Sequence, residues 1–278
     1  MWTKYRSLVG IGLTVGTGLG IFHAHREAAY AAQAFPAQPQ RPQAVDDCPF
    51  TTWDENWDRR AQMKRPKREA DKAEIDERKC SKACRHIILI RHGQYNLDGA
   101  SDSERTLTQL GREQAAAVGQ RLRALDLPFT SMTNSTMSRA RQTADIIAGV
   151  LGDSVPKRSE ERMLEEGAPA VPEPRSSHWR KADHHTFRDG ARIEAAFRGL
   201  FYRPDPSVSS DSYEIVVCHA NVIRYFVCRA LQFPPEAWLR FSLKHCSITW
   251  ITVTGSGSVH VRSVGDAGFL PPGKLTTS

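Results

Sequence analysis

The stretch His86-Ile87-Ile88-Leu89-Ile90-Arg91-His92-Gly93 decides the fold class and supplies the first candidate functional groups. Its apolar run indicates a buried strand, and the arginine and histidine stand where that strand turns at a glycine. In α/β proteins the strand fixes the backbone at this point, and a glycine lets a ligand approach it. An imidazole there can attack phosphorus, and a guanidinium can bind phosphate oxygens through paired hydrogen bonds. Alone, the motif is weak, because a structural histidine at a strand end is commoner.

After residue 85, short apolar runs alternate with stretches of helical periodicity, which predicts an α/β sandwich of three layers around a largely parallel sheet. The predicted strands cover residues 86–90, 129–134, 213–218, 247–254 and 259–264, and the predicted helices cover residues 108–124, 137–151, 187–201 and 221–231. Such sheets bind ligands at the carboxyl ends of their strands, so we expect the polar residues there to act as a group.

Further candidates for this group follow the other strands. Arg139 falls in the first turn of the helix after the second strand, where a cation opposes the helix dipole unless an anion binds nearby. His219 follows the strand at residues 213–218. Glu165 and Glu166 lie in the loop Met-Leu-Glu-Glu-Gly-Ala-Pro, and a carboxyl group in a desolvated pocket can serve as a general acid. The residues alone do not distinguish that role from a solvated loop carboxylate.

The N-terminal residues 1–27 predict a membrane anchor or targeting segment. Residues 8–22 carry no charge, and basic residues flank them. A helix of this length covers about 22 Å, less than the roughly 30 Å hydrocarbon core. Gly12, Gly16 and Gly20 would form a small-residue face of the kind that packs membrane helices. We favour an anchor over the alternative, a cleaved secretory signal.

Residues 28–84 are predicted to be a linker. Its most unusual part is Trp53-Asp54-Glu55-Asn56-Trp57-Asp58, two tryptophans in a polar stretch without a core of its own. Large aromatic side chains need a surface to bury against, which is a partner or neighbouring subunit in one reading and the chain's own domain in the other. The basic stretch 59–68 favours a solvated connector over a membrane-surface contact.

The composition narrows the class of protein. The chain has 278 residues, 40% of them apolar, and a net charge of +7 that is spread thinly, so nothing indicates a nucleic-acid partner. The six cysteines form no C-x-x-C pair, which favours reduced thiols. The sequence contains no H-E-x-x-H and no Cys/His ligand cluster, and His184-His185 is an isolated pair.

Several motifs together resemble those of the histidine phosphatase superfamily, also called the phosphoglycerate mutase-like fold, across about residues 85–270. They are R-H-G-Q-Y at 91–95, S-x-M-x-R-A at 135–140, E-G-A-P at 166–169, S-H-W at 177–179, C-H-A-N-V-I-R-Y at 218–225 and, before the domain, W-D-x-N-W-D at 53–58. Within that superfamily the chain looks most like the mitochondrial serine/threonine-protein phosphatases.

The resemblance implies a role for each candidate. His92 would be the nucleophile that becomes phosphohistidine, and Arg91, Arg139 and His219 would bind the phosphoryl group. Glu166, by its place before G-A-P, would be the general acid. The catalytic domain would span residues 85–278 and need no metal or cofactor.

The resemblance also implies phosphoprotein substrates and a single-pass location in a mitochondrial membrane, with the outer favoured over the inner. The segment Trp53, Asp54, Asn56, Trp57 and Asp58 would dock on neighbouring catalytic domains, build dimers and higher homo-oligomers, and raise activity. Relatives often carry arginine where this chain has Glu165. A phosphoglycerate mutase and a catalytically silent phosphoprotein scaffold remain the alternatives.

Overall fold

The structure is a computed structural model that describes residues 53–61, 80–152, 157–176, 179 and 181–277. In this part of the chain the strands are β1 (Cys84–Arg91), β2 (Phe129–Ser135), β3 (Arg158–Glu161), β4 (Ser212–Cys218), β5 (Ile248–Thr254) and β6 (Val259–Asp266). The α-helices are α1 (Gln109–Ala124), α2 (Ser138–Leu151), α3 (Asp183–Leu200) and α4 (Ala220–Ala230). Short 3₁₀ helices cover Asp102–Glu104, Arg162–Leu164, Pro235–Arg240 and Pro272–Lys274.

The six strands form one mixed sheet in the order β3-β2-β4-β1-β5-β6. Neighbours from β3 to β1 pair in parallel, whereas β5 is antiparallel to both β1 and β6. The expectation of an α/β fold with a mostly parallel sheet is therefore confirmed. The parallel half brings the carboxyl ends of β1, β2 and β4 to the same edge, where the loops to the helices begin.

Alternation along β1 divides the core between the two faces of the sheet. Ile87 and Leu89 pack with side chains of α3 and α4, such as Phe197 and Phe226. Ile88 and Ile90 point the other way and pack with side chains of α1 and α2. Because successive strand residues face opposite sides, a continuous apolar run is what a sheet covered by helices on both faces requires.

Two elements differ from the sequence-based expectation. Strand β3 was not predicted, because its residues Arg-Ser-Glu-Glu are polar and mostly exposed, and it pairs only with β2 at the sheet edge. Helix α3 begins at Asp183, four residues before the predicted start at Phe187. Its first turn carries no apolar period, and Phe187 itself is exposed. Asp183 suits a helix start because a negatively charged carboxylate interacts favourably with the positive end of the helix dipole.

The predicted anchor at residues 1–27 and the linker residues up to 52 lie outside the described residues, as does most of the basic stretch 59–68. In the part of the chain that the structure describes, no helix is both long and apolar enough to cross a membrane. The cysteines within that part are all free thiols, namely Cys80, Cys84, Cys218, Cys228 and Cys246.

Candidate active site

Three strand ends bring the predicted phosphate-binding groups together. In the parallel register Arg91 lies beside Cys218, so the next residues, His92 and His219, emerge at the same edge with ring centroids 5.1 Å apart. Arg139 arrives in the first turn of α2 after β2, and its Nε lies 3.3 Å from His92 Nε2. All four side chains are buried. The sequence prediction that they share one site is consistent with this geometry.

The tautomer of His92 follows from its partners. Its Nδ1 lies 2.8 Å from the carbonyl oxygen of Gly93, which can only accept, so Nδ1 carries the proton. Nε2 therefore keeps its lone pair and accepts from the guanidinium of Arg139. Burial lowers the pKa of His92 well below its ordinary value, and electrostatic repulsion from His219, Arg139 and Arg91 lowers it further. The imidazole is thus neutral at neutral pH, the state a nitrogen nucleophile requires.

Gly93 lies against helix α1. A Cβ at this position would lie 2.5 Å from the carbonyl oxygen of Gly111 in α1. The glycine thus allows the strand end and helix α1 to meet closely. Its N–H donates to Thr143 Oγ1 at 3.0 Å, which ties the turn to α2 as well.

Arg91 is held from two sides. Its Nη1 donates to the Leu243 carbonyl oxygen at 2.6 Å, and its Nη2 lies 3.0 Å from Nε2 of His245. Burial lowers the pKa of Arg91 to about 10, so the guanidinium remains charged at neutral pH. A buried cation fixed in one orientation costs no reorganisation when an anion binds.

Buried polar nitrogens of this cluster lack hydrogen-bond partners in the described structure. They are Arg91 Nε, Arg139 Nη1 and His219 Nδ1. Buried polar atoms are nearly always satisfied in folded proteins, so a group of orphans at one edge indicates a place for a ligand. Two of the three belong to guanidinium cations, and the ligand chemistry that satisfies them is a multiply charged oxyanion such as phosphate.

Asp102 supplies part of the negative charge that the sequence required near Arg139. Its carboxylate accepts from the backbone N–H and the hydroxyl of Ser138, at 2.8 and 2.9 Å, and so caps helix α2. Its other oxygen lies 3.5 Å from Arg139 Nη1. Asp102 had no signal in the sequence, since it begins a short 3₁₀ helix and lies 36 residues before Ser138 in the chain.

The structure distinguishes the two adjacent glutamates. The carboxylate of Glu165 accepts from Thr136 Oγ1 at 2.6 Å and lies 3.8 Å from Arg162 Nε. Glu166 instead lies in the pocket: burial raises the pKa of its carboxyl group, although the Gly167 N–H, Arg139 and Arg91 act in the opposite direction. A carboxyl group that stays protonated at higher pH beside bound phosphate suits a proton donor.

Helices α3 and α4 hold the loop that carries Glu166. Arg192 donates from Nη1 to the carbonyl oxygens of Met163 and Glu165, at 2.8 and 2.6 Å, and from Nη2 to that of Glu166 at 3.2 Å. Asp189 accepts from the N–H of Ala168 at 3.1 Å, and Asn221 donates to the Gly167 carbonyl oxygen at 3.0 Å. The carboxyl group of Glu166 is therefore carried by a backbone that several hydrogen bonds fix.

Sequence reasoning missed two further residues of the pocket. The ring of Tyr95 lies edge-on to His92 at 5.1 Å, with the guanidinium of Arg139 over its face at 4.7 Å. His245 is a third buried histidine, 5.5 Å from His92 between ring centroids. Tyr95 ends the motif R-H-G-Q-Y, but nothing in the sequence indicated that its side chain enters the pocket. His245 lies just before β5, outside the predicted strand ends. Their roles depend on tertiary contacts.

Among the described residues no group of three or more His, Cys, Asp or Glu side chains is arranged to hold a metal ion. The pair His184 and His185, isolated in sequence, lies in the first turn of α3 with its rings 4.1 Å apart.

The tryptophan segment lies against the catalytic domain of its own chain. Trp57 donates from Nε1 to the Gly257 carbonyl oxygen at 2.8 Å, and its ring centroid is 6.2 Å from that of Phe197. Asp58 accepts from the backbone N–H and the guanidinium of Arg203, at 2.8 and 3.0 Å. The sequence left two possibilities, burial against a partner subunit or against the chain's own domain. In the single chain the segment packs against its own domain.

The sheet edge thus combines a buried neutral histidine, buried guanidinium cations and a glutamate with a raised pKa, which are the groups that phosphoryl transfer can use. Over residues 87–266 the sequence matches the Histidine phosphatase superfamily (branch 1). The chain belongs to this superfamily.

Individual proteins of known name are also similar to this chain. The Xenopus laevis protein named Serine/threonine-protein phosphatase PGAM5, mitochondrial is 50% identical over 232 residues, which cover 81% of this chain and 83% of that protein. The Caenorhabditis elegans protein named Serine/threonine-protein phosphatase Pgam5, mitochondrial is 46% identical over 273 residues, or 95% and 94% of the two chains. The solved structure of Bacillus stearothermophilus YhfR agrees in fold, with a TM-score of 0.51 at 24% identity, and covers 66% of this chain and 98% of that one.

Proposed function

We propose that this protein is a metal-independent serine/threonine-protein phosphatase that works through a phosphohistidine intermediate. The observation that carries the proposal is the buried, neutral His92, whose Nε2 carries no proton, in a pocket where Arg91 Nε and Arg139 Nη1 have no hydrogen-bond partner. The names of the relatives support a phosphoprotein as the substrate.

In the first step, His92 Nε2 attacks phosphorus. The new P–N bond forms as the ester P–O bond breaks, and Glu166 gives its proton to the departing serine or threonine oxygen. Arg91, Arg139 and His219 stabilise the charge that develops on the other phosphoryl oxygens.

In the second step, the Glu166 carboxylate takes a proton from water. The water oxygen bonds to phosphorus while the P–N bond breaks, so inorganic phosphate leaves and both residues return to their starting states. Because the same carboxyl group serves both half-reactions, it must be able to gain and lose a proton near the working pH, and its raised pKa suits this.

Trapping the intermediate tests the proposal. A phosphoserine peptide labelled with ³²P is incubated with the full chain and quenched in alkali, where phosphohistidine survives. We expect label on the wild-type chain and none on His92→Ala. Equal hydrolysis by both proteins would overturn the assignment of the nucleophile, and absence of hydrolysis by the wild type would overturn the enzyme function in favour of a phosphoprotein-binding scaffold.

The domain organisation is part of the proposal: an anchor at residues 1–27, a linker at residues 28–84 and the catalytic domain at residues 85–278. The anchor would place the protein as a single-pass chain in a mitochondrial membrane, and the outer one is favoured. The mitochondrial names of the relatives support the organelle. Imaging the full chain beside a chain lacking residues 1–27 tests the anchor. Identical distributions would argue against it.

The tryptophan segment would also join subunits into dimers and higher homo-oligomers and raise activity. The site that receives Trp57 and Asp58 lies on the catalytic domain, so the same contacts can be made by a neighbouring copy. Eighteen residues separate residue 61 from residue 80, which gives the segment a reach of up to about 60 Å. Trp57→Ala should lower both the mass measured by light scattering and the turnover. Phe187→Ala, an exposed aromatic elsewhere, is the matched control, and unchanged mass and turnover in Trp57→Ala would refute the proposal.

A further inference from the structure

His245 joins the phosphate pocket to the C-terminal tail. The residue is buried between the 3₁₀ helix at Pro235–Arg240 and β5. Its Nε2 lies 3.0 Å from Nη2 of Arg91, and its Nδ1 lies 2.8 Å from the hydroxyl oxygen of Thr276. One small ring therefore touches a phosphate-binding cation on one side and the end of the chain on the other.

The chemistry of the partners fixes where the ring proton sits. A guanidinium nitrogen has only donors, so Nε2 of His245 must accept from Arg91 and cannot carry a proton. The proton of the neutral ring is therefore on Nδ1, which donates to Thr276 Oγ1. Burial, followed by the charges of Arg91 and Arg139, lowers the pKa of His245 to about 3, so the doubly protonated ring, which would repel Arg91, is not populated near neutral pH.

The tail is itself fixed to helix α1 and to the loop after His92. Gln114 donates from Nε2 to Thr276 Oγ1 at 2.9 Å and to the Lys274 carbonyl oxygen at 2.7 Å. The Oε1 of the same Gln114 accepts from the Gln94 N–H at 2.9 Å. The backbone N–H of His245 donates to the Thr276 carbonyl oxygen at 2.9 Å. These contacts hold the Thr276 hydroxyl oxygen in one place, where it accepts from both Gln114 and His245.

We propose that Thr276 is a positioning residue for phosphate binding, because its hydroxyl holds His245 in the tautomer whose Nε2 orients the Arg91 guanidinium. This inference rests on the phosphatase function proposed above and extends its binding machinery to the third residue from the C-terminal end of the sequence. Without that acceptor, a proton on Nδ1 is buried without a partner, so the His245 ring can turn or move its proton to Nε2, and either change breaks the contact with Arg91. Arg91 then loses a partner that helps to aim Nε at the phosphate.

Inorganic phosphate is the probe, used as a competitive inhibitor of phosphoserine-peptide hydrolysis by the full chain. Thr276→Val has nearly the same shape as the wild type and lacks the acceptor. We expect it to raise the inhibition constant of phosphate and the KM of the peptide about tenfold, the size expected when one buried polar contact is lost. Thr276→Ser keeps the hydroxyl and should restore both to within about twofold of the wild type.

A second readout does not depend on activity. Long-range ¹H–¹⁵N correlation spectra of the imidazole rings report which nitrogen of His245 carries the proton, and His245→Gln identifies the signal. Wild type and Thr276→Ser should show the proton on Nδ1, whereas Thr276→Val should show a loss of that state. Thr130→Val is the matched control, since this exposed hydroxyl bonds to the Tyr213 carbonyl oxygen away from the pocket.

The outcomes separate the two proposals. A phosphate inhibition constant and a His245 tautomer that are unchanged in folded Thr276→Val would overturn the positioning role while leaving the phosphatase assignment intact. A wild-type chain with the Nδ1 proton but without phosphohydrolase activity would instead overturn the function. If Thr276→Val does not fold, the tautomer of His245 in the wild type still tests the positioning role of Thr276. A proton on Nε2 of His245 would contradict that role.

Discussion

The Nδ1 atom of His92 lies 2.8 Å from the carbonyl oxygen of Gly93, the next residue in the chain. A backbone carbonyl cannot donate, so this contact places the proton on Nδ1, and the Arg139 guanidinium, which donates to Nε2, favours the same tautomer. Catalytic histidines commonly depend on a carboxylate or other group for the same purpose. Here the turn that ends β1 provides both the position of the ring and the location of its proton.

The first prediction concerns His92. Because the proposed mechanism makes Nε2 the attacking atom, His92→Ala should lower kcat for a phosphoserine peptide by at least about a thousandfold. Initial rates of phosphate release measure this, and His184→Ala, in the exposed first turn of α3, is the control. Activity in the alanine variant within tenfold of the wild type would exclude a phosphohistidine at this position.

The second prediction separates the adjacent glutamates. Glu166→Gln cannot protonate the leaving oxygen, so hydrolysis of phosphoserine should fall about a hundredfold or more. p-Nitrophenyl phosphate has a leaving group that needs little protonation, so formation of the phosphoenzyme from it should fall much less. Glu165→Gln is the matched control, because the Glu165 carboxylate bonds to Thr136 outside the proton-transfer path. Rapid-quench measurement of the labelled enzyme follows this step. Equal losses for the two substrates would argue against Glu166 as the acid.

The third prediction is a pH dependence of phosphoenzyme formation. Burial raises the pKa of Glu166, so its acid form persists to higher pH than that of an ordinary glutamate. Above that raised pKa the acid is deprotonated, and the rate of attack on phosphoserine should fall as pH increases. The fall should be absent in Glu166→Gln, whose residual rate has no carboxyl group to titrate. Single-turnover rates across the pH range provide the measurement, and an identical alkaline limb in both proteins would contradict this assignment.

The fourth prediction concerns the pH dependence of stability at His245. Its folded-state pKa is lowered from 6.5 to about 3, mainly by burial. Between these values the unfolded chain binds a proton that the folded chain does not, so the free energy of unfolding falls as pH falls below 6.5. From pH 6.5 to pH 5 this group alone should cost about 2 kcal/mol.

His245→Gln removes that contribution, so its unfolding free energy should lose about 2 kcal/mol less than the wild type over the same interval. Urea unfolding at the two pH values measures the difference. The exposed His260→Gln is the control. Parallel pH dependences in wild type and His245→Gln would show that the buried ring does take up a proton.

The fifth prediction concerns Asp58. Burial raises the pKa of Asp58, but hydrogen bonds from Arg203 outweigh this effect and hold the pKa below its ordinary value. The Asp58 side chain is 1% exposed and that of Arg203 11%. Asp58→Asn leaves the cation without its partner, so the free energy of unfolding should fall by about 3 kcal/mol at neutral pH. Asp54→Asn is the control, because its pair with Arg59 is exposed and is worth less than about 1 kcal/mol. Urea unfolding of the two variants measures both losses, and equal losses would contradict the buried geometry.

Much of the fold could be predicted because the signals are local. The apolar run of β1, the helical periods of α1 and α2, and the polar residues at strand ends each follow from a few neighbouring residues. Strand β3 and the first turn of α3 were not predicted, because their polar, exposed residues show no hydrophobic period. Pairing with β2 defines β3, and the rest of helix α3 defines its first turn.

The sequence by itself determined the fold class and the chemistry available at His92, Arg91, Arg139 and His219, because strand ends of a parallel sheet must meet at one edge. The tertiary structure decided which glutamate enters the pocket, since Glu165 and Glu166 differ only in the partners that the folded chain brings to them. It also decided the contacts of Asp102, His245 and Thr276, which join residues from 31 to more than 150 positions apart. No local pattern encodes such contacts, because they form only when the complete sheet and both helical layers are in place.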